Sequence, residues 1–247
     1  MTQAWFVSDI HMSDMQDQKA KTFLAFLHSL NQSRPCSHLF LVGDIFDLWV
    51  GDHNYFQKKF DPIVSAIKKL KSEGVEIYYF EGNHDLHLER FWSKTLDITV
   101  YSGPWYFPIL GKMVRVEHGD QSDPDDKGYL FLRTVLRTPV MRWLSYNLPG
   151  SLVNAIGEKA SSKSRDYTSQ TKTIDEEVAR EKLHRHAVKA YEEESYDLMI
   201  YGHVHLRDEY KGVGENEKSY EAINLGTWLD TPCAYYLSSE GTGFEDL

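Results

Sequence analysis

The sequence predicts a layered α/β domain, and three observations support this fold class. Short apolar runs recur along the chain, and each is followed by polar residues, as in buried strands; these runs are residues 5–7, 39–42, 77–80, 114–116 and 198–201. Residues 19–30 and 60–71 have the apolar spacing of amphipathic helices. Because these helices alternate with the first three strands, we expect right-handed crossovers between strands.

The predicted elements can be justified in chain order. The first strand leads into a helical pattern whose apolar positions are Phe23, Leu24, Phe26, Leu27 and Leu30. The second strand leads into another, with apolar positions at Ile63, Val64, Ile67 and Leu70. Near the end of the chain, residues 212–219 predict an exposed hairpin loop and residues 238–247 a loose tail.

Residues 126–194 break this alternation and have a helical pattern throughout. Thr138 followed by Pro139 predicts a helix N-terminus, and Leu148 followed by Pro149 predicts a break between helices. We therefore expect a core of residues 1–125 and 195–247, with a helical insertion of residues 126–194 packed over the strand ends as a cap.

Length and composition indicate one large globular domain with an insertion. The chain has 247 residues, of which 41% are hydrophobic and 26% charged. Its two cysteines, Cys36 and Cys233, are too far apart for a metal-binding motif, and the N-terminal residues resemble no signal peptide. These features predict a cytoplasmic protein.

Charge is distributed unevenly along the chain. The formal net charge of −10 argues against nucleic acid as a partner. Residues 127–172, by contrast, contain eight basic and two acidic residues, a net charge of +6. This basic stretch predicts a separate functional surface on the insertion.

Five short motifs carry the chemistry, and each follows a predicted strand. They are Asp9-Ile-His11, Gly43-Asp44-Ile-Phe-Asp47, Gly82-Asn83-His84-Asp85, His118-Gly-Asp120 and Gly202-His203-Val-His205. Each motif alone is a weak signal, but all five at strand ends, where ligands collect in such sheets, predict a metal site. A mixed carboxylate, amide and imidazole shell favours two divalent ions of the Mn²⁺ type, with Fe or Zn as alternatives.

The spacing of these residues suggests how they converge. Residues two apart on a turn can direct both side chains at one point, as with Asp9 and His11 or His203 and His205. One carboxylate must lie between two ions that are roughly 3.5–4 Å apart, and Asp44 is the natural bridge.

The motifs, in this order, resemble the calcineurin-like metallophosphoesterase superfamily across nearly the whole chain. The resemblance implies a four-layer α-β-β-α sandwich and two metal sites. One would be formed by Asp9, His11, Asp44 and His205, and the other by Asp44, Asn83, His118 and His203. It also implies that His84 stabilises the transition state or protonates the leaving oxygen, with Asp47 or Asp85 orienting it.

Longer strings are similar to the UDP-2,3-diacylglucosamine pyrophosphohydrolase branch, which serves lipid A synthesis. They are residues 43–52, the run from His118 through Asp126 and Tyr129 to Arg133, and residues 225–228. This resemblance implies a cap that receives acyl chains and a lipid-linked nucleotide diphosphate that is cleaved to UMP and a lipid phosphate. It also implies peripheral contact with the cytoplasmic face of the inner membrane; the oligomeric state is left open.

The predicted substrate contacts lie mainly in the insertion. Its apolar residues, interleaved with Arg133, Arg137 and Arg142, fit either a cap that contacts phosphates and a membrane or an ordinary helical subdomain. The polar stretch 161–165 fits either a phosphate pocket or a solvated loop. The candidate substrate-binding residues are Asp126, Arg133, Ser161, Ser162, Lys163, Arg165, Trp49 and Trp228.

His84 departs from the lipid A branch, which usually has arginine at this position, and matches the wider superfamily instead. Two alternatives to the lipid nucleotide hydrolase therefore stay open. One is a soluble phosphodiesterase or phosphomonoesterase acting on nucleotides, phosphoproteins or nucleic acid. The other is a non-catalytic scaffold, which the complete set of metal-ligand residues disfavours.

Overall fold

The structure is a computed structural model that describes residues 3–157, 159, 176–215, 217–229 and 231–247. The helices with defined bounds are α1 (Gln18–Ser29), α2 (Asn54–Lys59), α3 (Asp61–Ser72), α4 (Glu89–Trp92), α5 (Lys127–Leu136), α6 (Pro139–Asn147) and α7 (Glu176–Glu193). Residues 150–157 are also helical. The strands are β1 (Gln3–Val7), β2 (His38–Leu41), β3 (Trp49–Val50), β4 (Glu76–Phe80), β5 (Asp85–Leu86), β6 (Thr99–Tyr101), β7 (Trp105–Ile109), β8 (Lys112–Val116), β9 (Leu198–Tyr201), β10 (Arg207–Val213), β11 (Ser219–Leu225), β12 (Cys233–Ser238) and β13 (Gly241–Asp246).

Two main sheets form the centre of the molecule. The first has the strand order β13-β12-β1-β2-β4-β6. In this sheet β1, β2, β4 and β6 are parallel, β12 is antiparallel to β1, and β13 is antiparallel to β12. The second has the order β10-β11-β9-β8-β7, with a parallel centre of β11, β9 and β8. Parallel strands bring their carboxyl ends to one edge, which is where polar loops can meet.

The alternating side chains of β1 illustrate how both faces of the first sheet are buried. Phe6 packs between the two sheets, against side chains such as Val116 and Ile200. Trp5 and Val7 point to the opposite face, where the apolar faces of α1 and α3 cover them. Each large apolar side chain buried in this way contributes on the order of 1.5–3 kcal/mol, so the pattern of period two fixes the register of the strand.

Helix α7 covers the outer face of the second sheet. Its side chains Leu183, Ala187 and Ala190 pack against Met199 and Tyr201 of β9. The layers are therefore helix, sheet, sheet and helix, and the predicted four-layer sandwich is confirmed. This packing also argues for ending the cap before α7, because residues 176–193 form a layer of the core although we predicted them as part of the insertion.

Two helices after residue 125 each begin with a capping residue. Asp126 is the N-cap of α5, and Thr138 is the N-cap of α6, where its side chain accepts a hydrogen bond from the backbone N–H of Met141. Leu148 ends α6, at the predicted break. Within the described part of the chain, no helix combines the length and apolar character that a membrane crossing requires.

One prediction about the chain end was wrong. Residues 241–246 form β13, which pairs with β12 at the edge of the first sheet, whereas we expected a loose tail. The short segment contains two glycines, two acidic residues and one apolar residue, so its sequence lacks a strand signal, and the pairing comes from the exposed edge of β12. The predicted hairpin loop between β10 and β11 is present.

Candidate metal centre

The predicted metal ligands all lie on loops that leave the carboxyl ends of parallel strands. Asp9 follows β1, Asp44 follows β2 and Asn83 follows β4 in the first sheet. His118 follows β8 and His203 follows β9 in the second sheet. The two sheets face each other, so the loops from both meet at one edge of the sandwich, and the structure brings the predicted residues into two adjoining groups.

The first cluster consists of Asp9, His11, Asp44 and His205. Asp9, His11 and His205 each have one ligand atom that lies within 4.8 Å of those of the other two residues. The Nε2 atoms of His11 and His205 are 3.1 Å apart, and that of His205 is 3.3 Å from Asp9 Oδ1. Two imidazoles and a carboxylate in this arrangement form one side of a site for a divalent ion.

The second cluster consists of Asp44, Asn83, His118 and His203. Ligand atoms of Asp44, His118 and His203 lie within 4.8 Å of one another. His118 Nε2 is 3.4 Å from Asn83 Oδ1, while Nδ1 of the same ring is 3.0 Å from the carbonyl oxygen of Val42. A hydrogen bond donated by Nδ1 to this carbonyl directs Nε2 into the cluster.

The carboxylate of Asp44 belongs to both clusters. Its Oδ2 atom lies 3.8 Å from Nε2 of His11 and 3.5 Å from Nε2 of His118. Its other oxygen accepts a hydrogen bond from the backbone N–H of His84 at 2.9 Å. Asp44 is therefore held between the two clusters, which is the position that a bridging ligand requires.

The backbone at the ligands has an uncommon conformation. Five of the seven predicted ligands have a positive φ angle, between 50° and 71°, and none of the five is glycine; they are Asp9, His11, Asp44, His203 and His205. Such left-handed residues are uncommon outside glycine and cost free energy, so they concentrate where function requires them. In Asp9-Ile-His11 and His203-Val-His205, the first and third residues have this conformation. It directs both side chains of each motif into the clusters.

Two glycines permit the close approach of these loops. A Cβ atom at Gly82 would overlap the carboxylate of Asp44, and one at Gly43 would overlap the ring of His118. Gly43 also has a φ of 81°. These clashes give the physical reason for glycine at both positions.

Asp85 organises the backbone beneath the clusters. Its buried carboxylate accepts hydrogen bonds from the N–H groups of Asp44, Ile45 and Gly82 and from the hydroxyl of Tyr79, at 2.7–3.1 Å. It thus ties the Asp44 loop to the Gly82 loop. Burial, and then the charge of Asp44, raise the pKa of Asp85 to about 6.

The electrostatics of the clusters suit cation binding. Burial lowers the pKa values of His11 and His203 to about 4, so both rings are neutral at pH 7 and keep a lone pair for a metal. Burial also opposes the charged form of His118, but the surrounding carboxylates, Asp44 first and then Asp9 and Asp120, together outweigh burial and raise the pKa of His118 to about 10. Burial likewise opposes ionisation of Asp44, and nearby histidines, His118 first, still hold its pKa well below the usual range.

One polar atom in the clusters tests the fit of a metal independently. Asp9 Oδ1 is buried and accepts no hydrogen bond from the described residues. Buried carboxylate oxygens without a partner are costly, and this one faces the imidazoles of His11 and His205. A cation would satisfy it, so the donor set fits a divalent metal at the first cluster.

His84 lies at the mouth of the clusters. Its Nδ1 atom is 2.8 Å from the backbone carbonyl oxygen of Asp47 and 3.9 Å from the Asp47 carboxylate. Its ring packs edge-on against that of His11, with centroids 4.8 Å apart. Asp47 is thus placed to orient His84, mainly through its backbone, whereas Asp85 accepts hydrogen bonds from the backbone N–H groups beneath the clusters.

The predicted substrate-binding residues have mixed outcomes. Arg133 is bound to Asp120, with Nε 2.6 Å from Oδ2, so its guanidinium is engaged within the protein and is not directed at solvent. Asp126 caps α5 by accepting a hydrogen bond from Tyr129 N–H. Trp49 and Trp228 are buried in the core at 0% and 3% exposure, packed among aromatic rings, so we do not retain either as a substrate contact. Ser161, Ser162, Lys163 and Arg165 lie outside the described residues.

Sequence reasoning missed several residues that support the ligands. Asn224 donates a hydrogen bond from its side chain to the carbonyl of Gly202, next to His203. Glu117, next to His118, is buried and bonded to both Arg115 and His186. No short motif marks these positions, because their partners are distant in sequence; only the position of Glu117 beside a ligand offered a signal.

Comparison with known proteins identifies the class. The profile of the Calcineurin-like phosphoesterase family matches residues 3–207. The match covers most of the chain, so the chain belongs to this family, and the predicted resemblance is confirmed. It is a hydrolase of the phosphoesterase class, with candidate metal-ligand clusters at the expected strand ends.

Two relatives and one solved structure are similar to this chain over most of its length. The chain is similar to the UDP-2,3-diacylglucosamine hydrolase of Enterobacter sp. (strain 638), at 27% identity over 242 residues that cover 96% of this chain and 95% of the relative. It is also similar to the UDP-2,3-diacylglucosamine hydrolase of Pseudomonas fluorescens (strain SBW25), at 26% identity over 237 residues that cover 95% and 91%. Among solved structures, a double mutant of Vps29 from Entamoeba histolytica has a TM-score of 0.44 at 13% identity and covers 99% of this chain and 98% of Vps29.

Proposed function

We propose that this phosphoesterase cleaves the diphosphate of a lipid-linked nucleotide such as UDP-2,3-diacylglucosamine, giving UMP and a lipid phosphate. The two UDP-2,3-diacylglucosamine hydrolases similar to this protein match nearly its whole chain. The observation that carries the substrate class is the apolar surface of the cap beside the clusters. We further propose that the two cations are Mn²⁺ and that the protein works at the cytoplasmic face of the inner membrane.

The cap exposes large apolar side chains. Phe131 is 72% exposed, Val140 66% and Trp143 62%. Helix α5, which carries Phe131, also reaches the second cluster, where the ring of Tyr129 lies 5.3 Å from that of His203. Exposed apolar side chains on helices beside a polar reaction centre fit a substrate with acyl chains, or the membrane that contains it.

The residues would have the following roles in catalysis. The first cluster would hold one cation and the second cluster the other, with Asp44 common to both. When bound, the cations supply Lewis-acid stabilisation of the negative charge that develops on phosphoryl oxygens. His84, held through Nδ1 by the Asp47 carbonyl, turns its Nε2 atom away from that bond and would donate a proton to the leaving oxygen or stabilise its charge.

A soluble phosphodiesterase or phosphomonoesterase is the second candidate, and two observations favour it. The side chain of His205 is 40% exposed, so the first cluster is open on one side. A cleft of about 210 Å³ beside His118 and Asp120 is lined mainly by polar groups, including Ser102, Gln121 and Lys189. A small, water-soluble phosphoester would fit such surroundings.

A panel of substrates separates the candidates. The purified protein would be incubated with Mn²⁺ and, in separate reactions, UDP-2,3-diacylglucosamine, a cyclic nucleotide and an aryl phosphate, and kcat/KM compared. We expect the lipid nucleotide to be preferred by at least about 100-fold, or roughly 2.7 kcal/mol of transition-state binding. Equal or better turnover of the soluble substrates would reject the lipid assignment. Metal analysis of the same preparation, with a chelator control, tests the scaffold alternative, because a scaffold would retain no metal-dependent turnover.

A further inference from the structure

Two arginines on one face of α5 reach two of the loops that carry the second cluster. Arg133 lies in the last turn of α5 and Arg137 is the residue that caps its end, four positions later. Residues four apart lie on the same side of a helix, so both guanidinium groups point toward the core. Their side chains are only 17% and 15% exposed.

Arg133 binds the loop after β8. Its Nε donates to Asp120 Oδ2 at 2.6 Å, and the hydroxyl of Tyr129 donates to the same oxygen at 3.0 Å. Asp120 is two residues after the ligand His118 and is 7% exposed. The α5 helix is therefore fastened beside one ligand of the second cluster.

Arg137 binds the loop after β4. Its guanidinium lies 2.8 Å from Glu81 Oε2 and also contacts the backbone carbonyls of Glu81 and Gly82. The other oxygen of Glu81 accepts the backbone N–H of Leu88 at 2.9 Å. One buried carboxylate thus joins the two ends of the loop 81–88, which carries Asn83, to the end of α5.

A third contact also joins the loop 81–88 to the end of α5. Nε2 of His87 lies 3.0 Å from the carbonyl oxygen of Leu136, the last residue of α5. Carbonyls in the last turn of a helix have no partner within the helix, so a hydrogen bond donated by His87 satisfies one of them. His87 is only 4% exposed.

We propose that Arg133 and Arg137 are positioning residues that lock the loops of His118 and Asn83 around the second cluster and so couple docking of the cap to metal binding there. The inference rests on the proposed metal function of this cluster. Groups that orient metal ligands affect metal affinity strongly even though they do not touch the ion. Coupling is reciprocal, so a metal in the second cluster also stabilises the docked position of α5.

The test uses the full chain with Arg137→Ala, Arg137→Lys and a matched control, Lys127→Ala. Lys127 is exposed on the same helix and makes no ion pair among the described residues, so its removal changes the charge of α5 alone. Calorimetric titration with Mn²⁺ measures both binding steps. We expect Arg137→Ala to weaken one step by roughly 10-fold or more and leave the other unchanged, with partial recovery in Arg137→Lys. Two unchanged steps in Arg137→Ala would overturn the coupling.

Hydrogen exchange of the metal-free protein gives a second readout that does not depend on the proposed function. We expect amides of residues 127–136 and 82–87 to exchange faster in Arg137→Ala than in the wild-type and Lys127→Ala proteins, while strands β1 and β9 are unaffected and report that the core is folded. Unchanged exchange in α5 would refute the proposal that Arg137 fastens α5 to the loop 81–88. Failure of the wild-type chain to bind two metals would instead refute the proposed function.

Discussion

Asp44→Asn is the most direct test of the shared ligand. The substitution keeps the size of the side chain and removes only its negative charge. The amide oxygen can still accept the hydrogen bond from His84 N–H, which is 2.9 Å long in the wild-type chain. The backbone bonds of Asp44, to Asp85 Oδ1 at 3.1 Å and from His11 N–H at 3.0 Å, do not involve the altered group. We therefore expect a folded protein.

The size of the effect follows from the position of this carboxylate. Asp44 Oδ2 is 3.8 Å from His11 and 3.5 Å from His118, one ring in each cluster, so one change removes an anionic ligand from both sites. Stabilisation by a metal pair is worth several kcal/mol in the transition state, and about 1.36 kcal/mol changes a rate tenfold. A loss of about 4 kcal/mol lowers kcat/KM by on the order of 10³-fold.

The assay is Mn²⁺-dependent hydrolysis of UDP-2,3-diacylglucosamine and of an aryl phosphate, with metal content measured on the same samples. Asp61→Asn is the matched control, because Asp61 is an exposed aspartate in the first turn of α3. Circular dichroism spectra should be the same for all three proteins. Near-normal turnover with two metals bound to Asp44→Asn would show that Asp44 does not bridge, and the arrangement of the two clusters would have to be reassigned.

Three further predictions concern the same site. His84→Ala should lower kcat by about 10²-fold with both metals still bound, as measured by steady-state kinetics and metal analysis; loss of metal instead would make His84 a ligand. Gly82→Ala should destabilise the protein by about 1–3 kcal/mol in denaturant titrations, because its Cβ would overlap Asp44, whereas Gly103→Ala, with open space around it, should be nearly neutral. The pKa of His118 is raised to about 10 from its ordinary value of about 6.5, so the folded metal-free protein binds a proton that the unfolded chain loses between those values. Its melting temperature should therefore fall as pH rises from 7 to 9, and an unchanged slope in His118→Gln would contradict this.

The core of the fold and the position of the candidate ligand motifs at strand ends could be predicted because their signals are local. Each apolar run ends directly before the ligand motif it carries, so strand position and ligand position are read together, as for Asp9 after β1. The left-handed backbone of Asp9 and His11 could not be predicted, since neither residue type requires it. It results from backbone bonds to the neighbouring loop, donated by their N–H groups to Gly43 and Asp44.

Long-range pairing explains what the sequence alone could not show. Arg133 and its partner Asp120 are thirteen positions apart in sequence, and charge spacing alone could not distinguish a phosphate contact from an internal ion pair. The apolar positions of α7 are mainly alanines, so its sequence gave no sign that it covers a sheet. Trp49 lies two residues after the motif that ends at Asp47, yet its ring belongs to an aromatic group around Phe60 in the core.

The left-handed conformation of five ligands has a consequence for engineering this chain. Each such residue costs on the order of 1–3 kcal/mol, and glycine at the same place would recover part of that cost. A screen that selects only for heat resistance would therefore favour glycine at positions such as Asp9 or His205 and would discard the catalyst. Variants meant to be robust should be sought away from these turns, for instance on the exposed faces of α1 and α3.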